Sequence, residues 1–161
     1  MKILITGGSG FIGRNLIEQL NSTYDILAPG SQELNLLNES SVIPYLKNNC
    51  FDVIIHSATW NATVTSTKDT GLVLENNLRM FFNLARGSQY FGKFINFGSG
   101  AEYDRIHWVP KMKEAYFDSF VPADQYGLSK YLINKYIETL NHSYNLRLFG
   151  VFGKYEDWRI R

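Results

Sequence analysis

A phenol and an ammonium group stand four residues apart in Tyr126-Gly127-Leu128-Ser129-Lys130, a spacing that puts both on one face of a helix. A tyrosine with a reference pKa of about 10 must lose roughly two to three units to act as a base near neutrality, which costs about 3 to 4 kcal/mol. A unit positive charge about 4 Å away contributes about 4 kcal/mol at an effective dielectric of about 20, so Lys130 is sufficient in magnitude to lower the phenol. Ser99, placed at the end of the apolar run Phe94-Ile95-Asn96-Phe97, adds a hydroxyl that could hold the reacting oxygen. Such a trio suits reaction at an alcohol or ketone: Ser99 holds the oxygen, Tyr126 exchanges the proton and a hydride is exchanged at carbon. With 10 tyrosines in the chain, the Tyr-Lys spacing alone decides nothing, and its weight comes from agreement with the elements that must position it.

The first of these is Thr6-Gly7-Gly8-Ser9-Gly10-Phe11-Ile12-Gly13, which follows the apolar run Ile3-Leu4-Ile5 and opens into the amphipathic run 11–20. A strand, a glycine-rich turn and a helix in that order build a phosphate cradle. Glycines allow positive φ and close backbone approach, and the helix N-terminus offers unpaired N–H groups and the positive end of a dipole. The expected ligand is a dinucleotide, held at Gly7, Gly10, Phe11, Ile12 and Gly13. Two glycine frames fit: Gly8, Gly10 and Gly13 match G-x-G-x-x-G, while Gly7, Gly10 and Gly13 behind Thr6 match a wider T-G-x-x-G-x-x-G spacing.

Residues 24–28 read as a short second strand that runs into Pro29-Gly30-Ser31. An acid at that strand end would bind a ribose 2′-hydroxyl and select NAD. Its absence leaves room for a 2′-phosphate and leans the reading to NADP, although no arginine stands there to grip one. Leu34-Asn35-Leu36-Leu37 reads as a very short third strand. A helix capped by Asn38 or Ser40 follows to Leu46, expected to be short or to begin late because Pro44 lies within it. Phe51-Asp52-Val53-Ile54-Ile55-His56 has the near-continuous apolar character of a parallel strand buried on both faces, and it emerges into Ser57-Ala58-Thr59-Trp60. Helical periodicity covers 72–90, a strand covers 93–97, and the long loop 101–122 leads to a helix over 123–142 with Asp124 near its start. Loops of that length are often functional. A last strand over 145–149 is followed by a carboxyl-edge loop over 150–161. Strand and helix alternate throughout, which predicts an α/β fold with a doubly wound parallel sheet, and 161 residues make one domain.

The 16 basic and 15 acidic residues form no basic stripe or like-charge block, so nothing points to nucleic acid or to an anionic membrane. No apolar run approaches the roughly 20 residues of a membrane span, and Met1-Lys2-Ile3 enters a strand directly. The expected location is cytoplasmic. Cys50, the only cysteine, fits a reducing compartment and reads as a small half-buried residue at a helix-to-strand junction. His56, His107 and His142 are scattered, and no metal site is expected. Glu102 and Glu114 read as solvated loop charges, and Trp60, Trp108 and Phe117 as loop packing or the wall of a pocket.

Through residues 6–13, 52–59, 77–84, 97–103, 122–130 and 147–153 the chain resembles the extended short-chain dehydrogenase/reductases, the NAD-dependent epimerase/dehydratases that act on nucleotide-diphosphate sugars. The resemblance implies a Rossmann fold, NAD or NADP as cofactor, and an epimerase or oxidoreductase with Ser99, Tyr126 and Lys130 as catalytic residues. It also implies that Asn35 and Leu36 border the adenine, that Ala58 and Thr59 pass beneath the cofactor, and that Tyr126 and Lys130 contact it, Lys130 at the nicotinamide ribose. Residues 33–37 are similar to the corresponding stretch of the GDP-fucose synthases. Ala101 stands where those enzymes carry an epimerising cysteine, and Gly100-Ala101 where the 4,6-dehydratases carry an Asp-Glu pair, which leaves a keto-reductase or a 4-epimerase. Family members are much longer, so the C-terminal substrate lobe is expected to be absent or truncated. The alternative is a non-catalytic dinucleotide-binding module that senses cofactor or serves as an interaction domain. A homodimer through the helices at 72–90 and 123–142 is implied as well.

Overall fold

The computed structural model describes residues 1–60 and 67–157. Its strands are β1 (Lys2–Thr6), β2 (Asp25–Leu27), β3 (Phe51–His56), β4 (Phe91–Ser99) and β5 (Ser143–Leu148). They form one parallel sheet in the order β2-β1-β3-β4-β5. The α-helices are α1 (Phe11–Leu20), α2 (Glu39–Asn49), α3 (Val73–Ala85) and α4 (Gln125–Ile137). Successive strand side chains point to opposite faces, and both faces are covered. Leu4, Ile54 and Phe94 pack under Val42, Leu46, Phe81, Leu84 and Ile133 of α2, α3 and α4. On the other face Ile3, Ile5, Val53 and Ile55 pack against Leu16 and Ile17 of α1. The fold is the expected Rossmann arrangement.

The expected third strand at Leu34-Asn35-Leu36-Leu37 does not form. Its backbone groups are taken locally or by a side chain: Leu34 N bonds Gly30 O at 2.9 Å and Asn38 N bonds Asn35 O at 3.0 Å. Leu37 N bonds Asn35 Oδ1 at 3.0 Å and Asn83 Nδ2 donates to Leu36 O at 2.8 Å. Leu34 and Leu36 are buried, and their alternation produced the strand-like pattern.

Helix α2 is neither short nor late. Asn38 caps it by accepting from Ser40 N at 3.1 Å, and Pro44 lies inside it, losing one ladder bond. Cys50 is exposed rather than half-buried, at the left-handed C-cap of α2 with φ 49°. The two long helices are shorter than expected. Helix α3 ends at Ala85 and a 3₁₀ turn, Ser88–Tyr90, follows. Between them lies Gly87, where a Cβ would stand 2.4 Å from Leu46 Cδ1. Helix α4 ends at Ile137, because the chain is already paired with β4 at His142, whose carbonyl accepts from Phe94 N at 3.0 Å. The long loop contains three 3₁₀ turns, at Gly100–Tyr103, Arg105–His107 and Glu114–Tyr116. Residues 150–157 form no helix or strand, and the last four residues of the expected carboxyl-edge loop lie outside the described residues.

Candidate active site

The glycine turn joins β1 to α1 at the carboxyl edge of the sheet, and its geometry separates the two frames. Gly7 has φ +73°, and a Cβ there would stand 2.7 Å from Ala58 N; at Gly13 one would stand 2.2 Å from Gly7 O. Those neighbours are backbone and cannot yield. At Gly8 the nearest atoms are the side chains of Ala28 and Ile17. Backbone atoms therefore demand glycine at Gly7 and Gly13, which favours the wider frame; at Gly10, common to both frames, a Cβ would stand 3.3 Å from Gly7 O. Gly10 N donates to Gly7 O at 3.0 Å, and the first helical bond runs from Arg14 N to Gly10 O at 2.9 Å. The N–H groups of Phe11, Ile12 and Gly13 thus have no intrahelical acceptor, at the positive end of a helix with no acid in its first turn.

This turn forms one wall of a cleft of about 610 Å3, and Gly7, Gly10, Phe11, Ile12, Gly13, Asn35, Leu36, Ala58 and Thr59 all line it. Pro29, Gly30 and Ser31 also line it, and among the described residues the lining holds no carboxylate and one charged side chain, Lys68. Such a cradle, closed to a Cβ at Gly7 and Gly13 and without a carboxylate among its described lining residues, fits a dinucleotide. Beneath it Thr6 ties β1 to β3. Its Oγ1 lies 2.8 Å from His56 Nδ1, and its carbonyl accepts from Ser57 Oγ at 3.0 Å. His56 is buried; burial, and then the nearby Lys130 charge, push its pKa down to about 3, so the imidazole is neutral.

A chain of hydrogen bonds leads from the cleft to α4. Asn77 Oδ1 accepts from Trp60 N at 2.7 Å and from Thr59 Oγ1 at 3.2 Å. Asn77 Nδ2 donates to Ser129 Oγ at 3.2 Å, and Ser129 Oγ donates to Tyr126 O at 2.7 Å. This bridging role was not read from the sequence; an asparagine on the apolar face of a helix is the signal that would have found it.

Ser99, the last residue of β4, and Tyr126, in the first turn of α4, lie close enough for the Ser99 hydroxyl to favour the ionised phenol. Lys130 Nζ lies 5.9 Å from the Tyr126 ring centroid and donates to Phe97 O at 2.8 Å. The fold thus brings the three residues together, although none of them lines the cleft itself. The electrostatics differ from the sequence expectation. Burial raises the Tyr126 phenol above its ordinary value, against the opposing effects of the Ser99 hydroxyl and the Arg105 charge. Lys130 is pushed down to about 8, also by burial, and its ammonium faces the Phe97 carbonyl instead of the phenol. The resting pair is a protonated phenol beside a hydroxyl, which is the form of a proton donor.

Glu102, expected to be solvated, is buried and ion-paired with Arg147 at 2.8 Å. Glu114 is exposed. Trp60 lines the cleft. Trp108 contacts Phe149, and Phe117 contacts Tyr103 and Tyr131, as loop packing. Among the described residues no cluster of metal ligands occurs.

The model of the NAD dependent epimerase/dehydratase family matches residues 3–159. The chain belongs to that family. GDP-L-colitose synthase of Yersinia pseudotuberculosis is 32% identical over 109 residues, covering 65% of this chain and 35% of that protein. ADP-L-glycero-D-manno-heptose-6-epimerase of Nitratidesulfovibrio vulgaris is 26% identical over 174 residues, covering 95% of this chain and 54% of that protein. The crystal structure of a GDP-D-glycero-L-gluco-heptose synthase from Campylobacter jejuni, in the presence of NADPH, superposes with a TM-score of 0.88 at 23% identity. It covers 99% of this chain and 51% of that one, a likeness of fold. The chain spans about half the length of the relatives that it matches throughout.

Proposed function

We propose that this chain works in an NAD(P)-dependent nucleotide-sugar reductase or epimerase, with residues 1–161 forming one dinucleotide-binding domain. The observation that carries the reading is the convergence of Ser99, Tyr126 and Lys130, whose Nζ lies 5.9 Å from the Tyr126 ring centroid, at the sheet edge that also bears a cleft walled by Gly7, Gly10 and Gly13. Ser99 holds the substrate oxygen, Tyr126 transfers the proton, and Lys130 holds the cofactor ribose and balances charge at the phenol. A bound nicotinamide supplies the hydride. Asn35 and Leu36 border the adenine, and Ala58 and Thr59 lie beneath the cofactor. NADP is preferred, because the acid-free stretch Pro29-Gly30-Ser31 lines the cleft where a 2′-phosphate would lie.

A nucleotide-diphosphate sugar is the substrate, in keeping with the relatives' names. With neither thiol nor carboxylate at Gly100-Ala101, keto-reduction or 4-epimerisation is the chemistry. A homodimer through α3 and α4 is consistent with the exposed Leu132 and Tyr136, and a monomer by light scattering contradicts it. An exposed, unpaired Cys50 suits a cytoplasmic location; no helix among the described residues is long and apolar enough to cross a membrane.

The test pairs NADPH titration with NADPH oxidation on 4-keto nucleotide sugars. Tyr126→Phe is expected to keep binding and to lose about 10²- to 10⁴-fold in turnover. Binding without turnover in the wild type supports the second reading, a non-catalytic dinucleotide sensor or interaction module.

A further inference from the structure

Glu102 is a carboxylate with 0% of its surface exposed, in the single turn that follows Ser99. A charge survives such burial only when paired and fully hydrogen-bonded. Its Oε1 accepts from the Ser99 backbone N–H at 2.9 Å, closing a capping box, while Ser99 Oγ accepts from Ala101 N at 3.2 Å. Asn145 Nδ2 donates to both carboxylate oxygens at 3.0 and 3.1 Å, and Arg147 Nε donates to Oε2 at 2.8 Å. The Arg147 guanidinium is itself held over the Phe117 ring, 4.3 Å from its centroid. The fit is close: a Cβ at Gly98 would stand 2.1 Å from Glu102 Oε1, and one at Gly127 would stand 2.8 Å from Ala101 O. The turn carrying Glu102 is therefore locked between β4, β5 and the first turn of α4, which bears Tyr126.

We propose that Glu102, anchored by Arg147, is a positioning residue that seats Ser99 beside the Tyr126 hydroxyl and fixes a negative charge next to that pair. The proposal rests on the reading of Ser99, Tyr126 and Lys130 as the reacting trio. In the reductive direction the Tyr126 O–H bond breaks and its proton goes to the substrate carbonyl oxygen as a hydride from reduced nicotinamide reaches the carbon. The products are an alcohol and oxidised nicotinamide, and solvent returns a proton to the phenolate.

The charges facing the phenol are Arg105 on the loop, Glu102 on the turn, Asp124 at the cap of α4 and Lys130 one turn on. Lys130 in turn faces Glu102 and His56. Glu102 opposes ionisation of Tyr126 and favours the Lys130 ammonium, so both of its effects hold protons at the site.

The test needs no substrate. Ring-13C tyrosine labelling, with Tyr126 assigned by its loss in Tyr126→Phe, gives the phenol titration in the wild type, Glu102→Gln and the exposed-carboxylate control Glu114→Gln. Glutamine keeps an acceptor for Ser99 N but lacks the charge. The expected result is a downward shift of the Tyr126 midpoint in Glu102→Gln and none in the control. An unchanged or raised midpoint in folded Glu102→Gln overturns the proposal. If the unpaired Arg147 prevents that variant from folding, the double variant Glu102→Gln/Arg147→Met removes both charges and must show the same downward shift. Hydrogen exchange gives a second reading: Ser99 N–H is expected to exchange about as slowly as wild type in Glu102→Gln and at least about 10-fold faster in Glu102→Ala, in proportion to the bond lost. Equal exchange in both overturns the seating role. Loss of turnover in Tyr126→Phe tests the trio separately, so the two readings fail independently.

Discussion

The dinucleotide cleft and the Ser99–Tyr126 corner share the carboxyl edge of one sheet, yet they are held by different physics. The cleft is made of backbone. Gly7 and Gly13 stand where any Cβ would strike main-chain atoms, and no carboxylate among the described residues lines the cavity. The corner is made of charge, with buried Glu102 and Lys130 and half-buried Arg147 each compensated by specific partners. The first should therefore respond to volume and the second to charge and pH.

The largest effect is expected in the cleft. Gly13→Ala drives a methyl to within 2.2 Å of Gly7 O, and calorimetric titration should show NADPH affinity reduced by about 100-fold or more, equivalent to about 3 kcal/mol. Unaltered affinity would remove the basis for a backbone-built cleft. In the corner, Arg147→Met leaves the Glu102 carboxylate buried and unpaired. Denaturant unfolding should register about 3 to 5 kcal/mol of lost stability, and adding Glu102→Gln should recover part of it. Additive losses from the two substitutions would break the claim that they act as a pair.

Smaller effects appear as pH dependence. Lys130 titrates at about 8 in the folded chain against an ordinary 10.5. Between those values the unfolded state binds more protons, so this group makes stability rise with pH from about 8 to 10.5. Lys130→Met should flatten that rise. His56 obeys the same sign in acid. With a folded value of about 3 against 6.5, its contribution is present above 6.5 and is lost as pH falls towards 3. A His56→Gln chain should show a shallower acid loss in the same unfolding series, and identical slopes would mean that His56 is charged or solvated in the folded protein.

The same contrast explains what could be read from the sequence. The limits of α1 and β3 follow directly from the glycine turn and from one continuous apolar run. Gly7, Gly10, Phe11, Ile12, Gly13, Asn35, Leu36, Ala58 and Thr59 line the cleft, whereas Tyr126 and Lys130, also expected at the cofactor, do not; glycine and strand-edge positions announce backbone geometry locally. Leu34 and Leu36 misled because two buried leucines with one residue between them look alike in a strand and in a turn. Residues 72–90 and 123–142 were read as longer helices than α3 and α4, since apolar residues such as Tyr90 pack on the core from beyond the helix end. Glu102 was illegible for a deeper reason. A glutamate in a loop reads as solvated until Asn145 and Arg147, 43 and 45 residues away, are known to meet it.

The central claim is that cleft and corner are two halves of one site, with the nicotinamide end of a dinucleotide beside Tyr126. The direct measurement is a nuclear Overhauser experiment on the chain saturated with NADPH, read between nicotinamide protons and the Tyr126 ring assigned by Tyr126→Phe. The account predicts cross-peaks to Tyr126 that vanish in the variant while NADPH stays bound. NADPH held in the cleft without any contact to Tyr126 would contradict it.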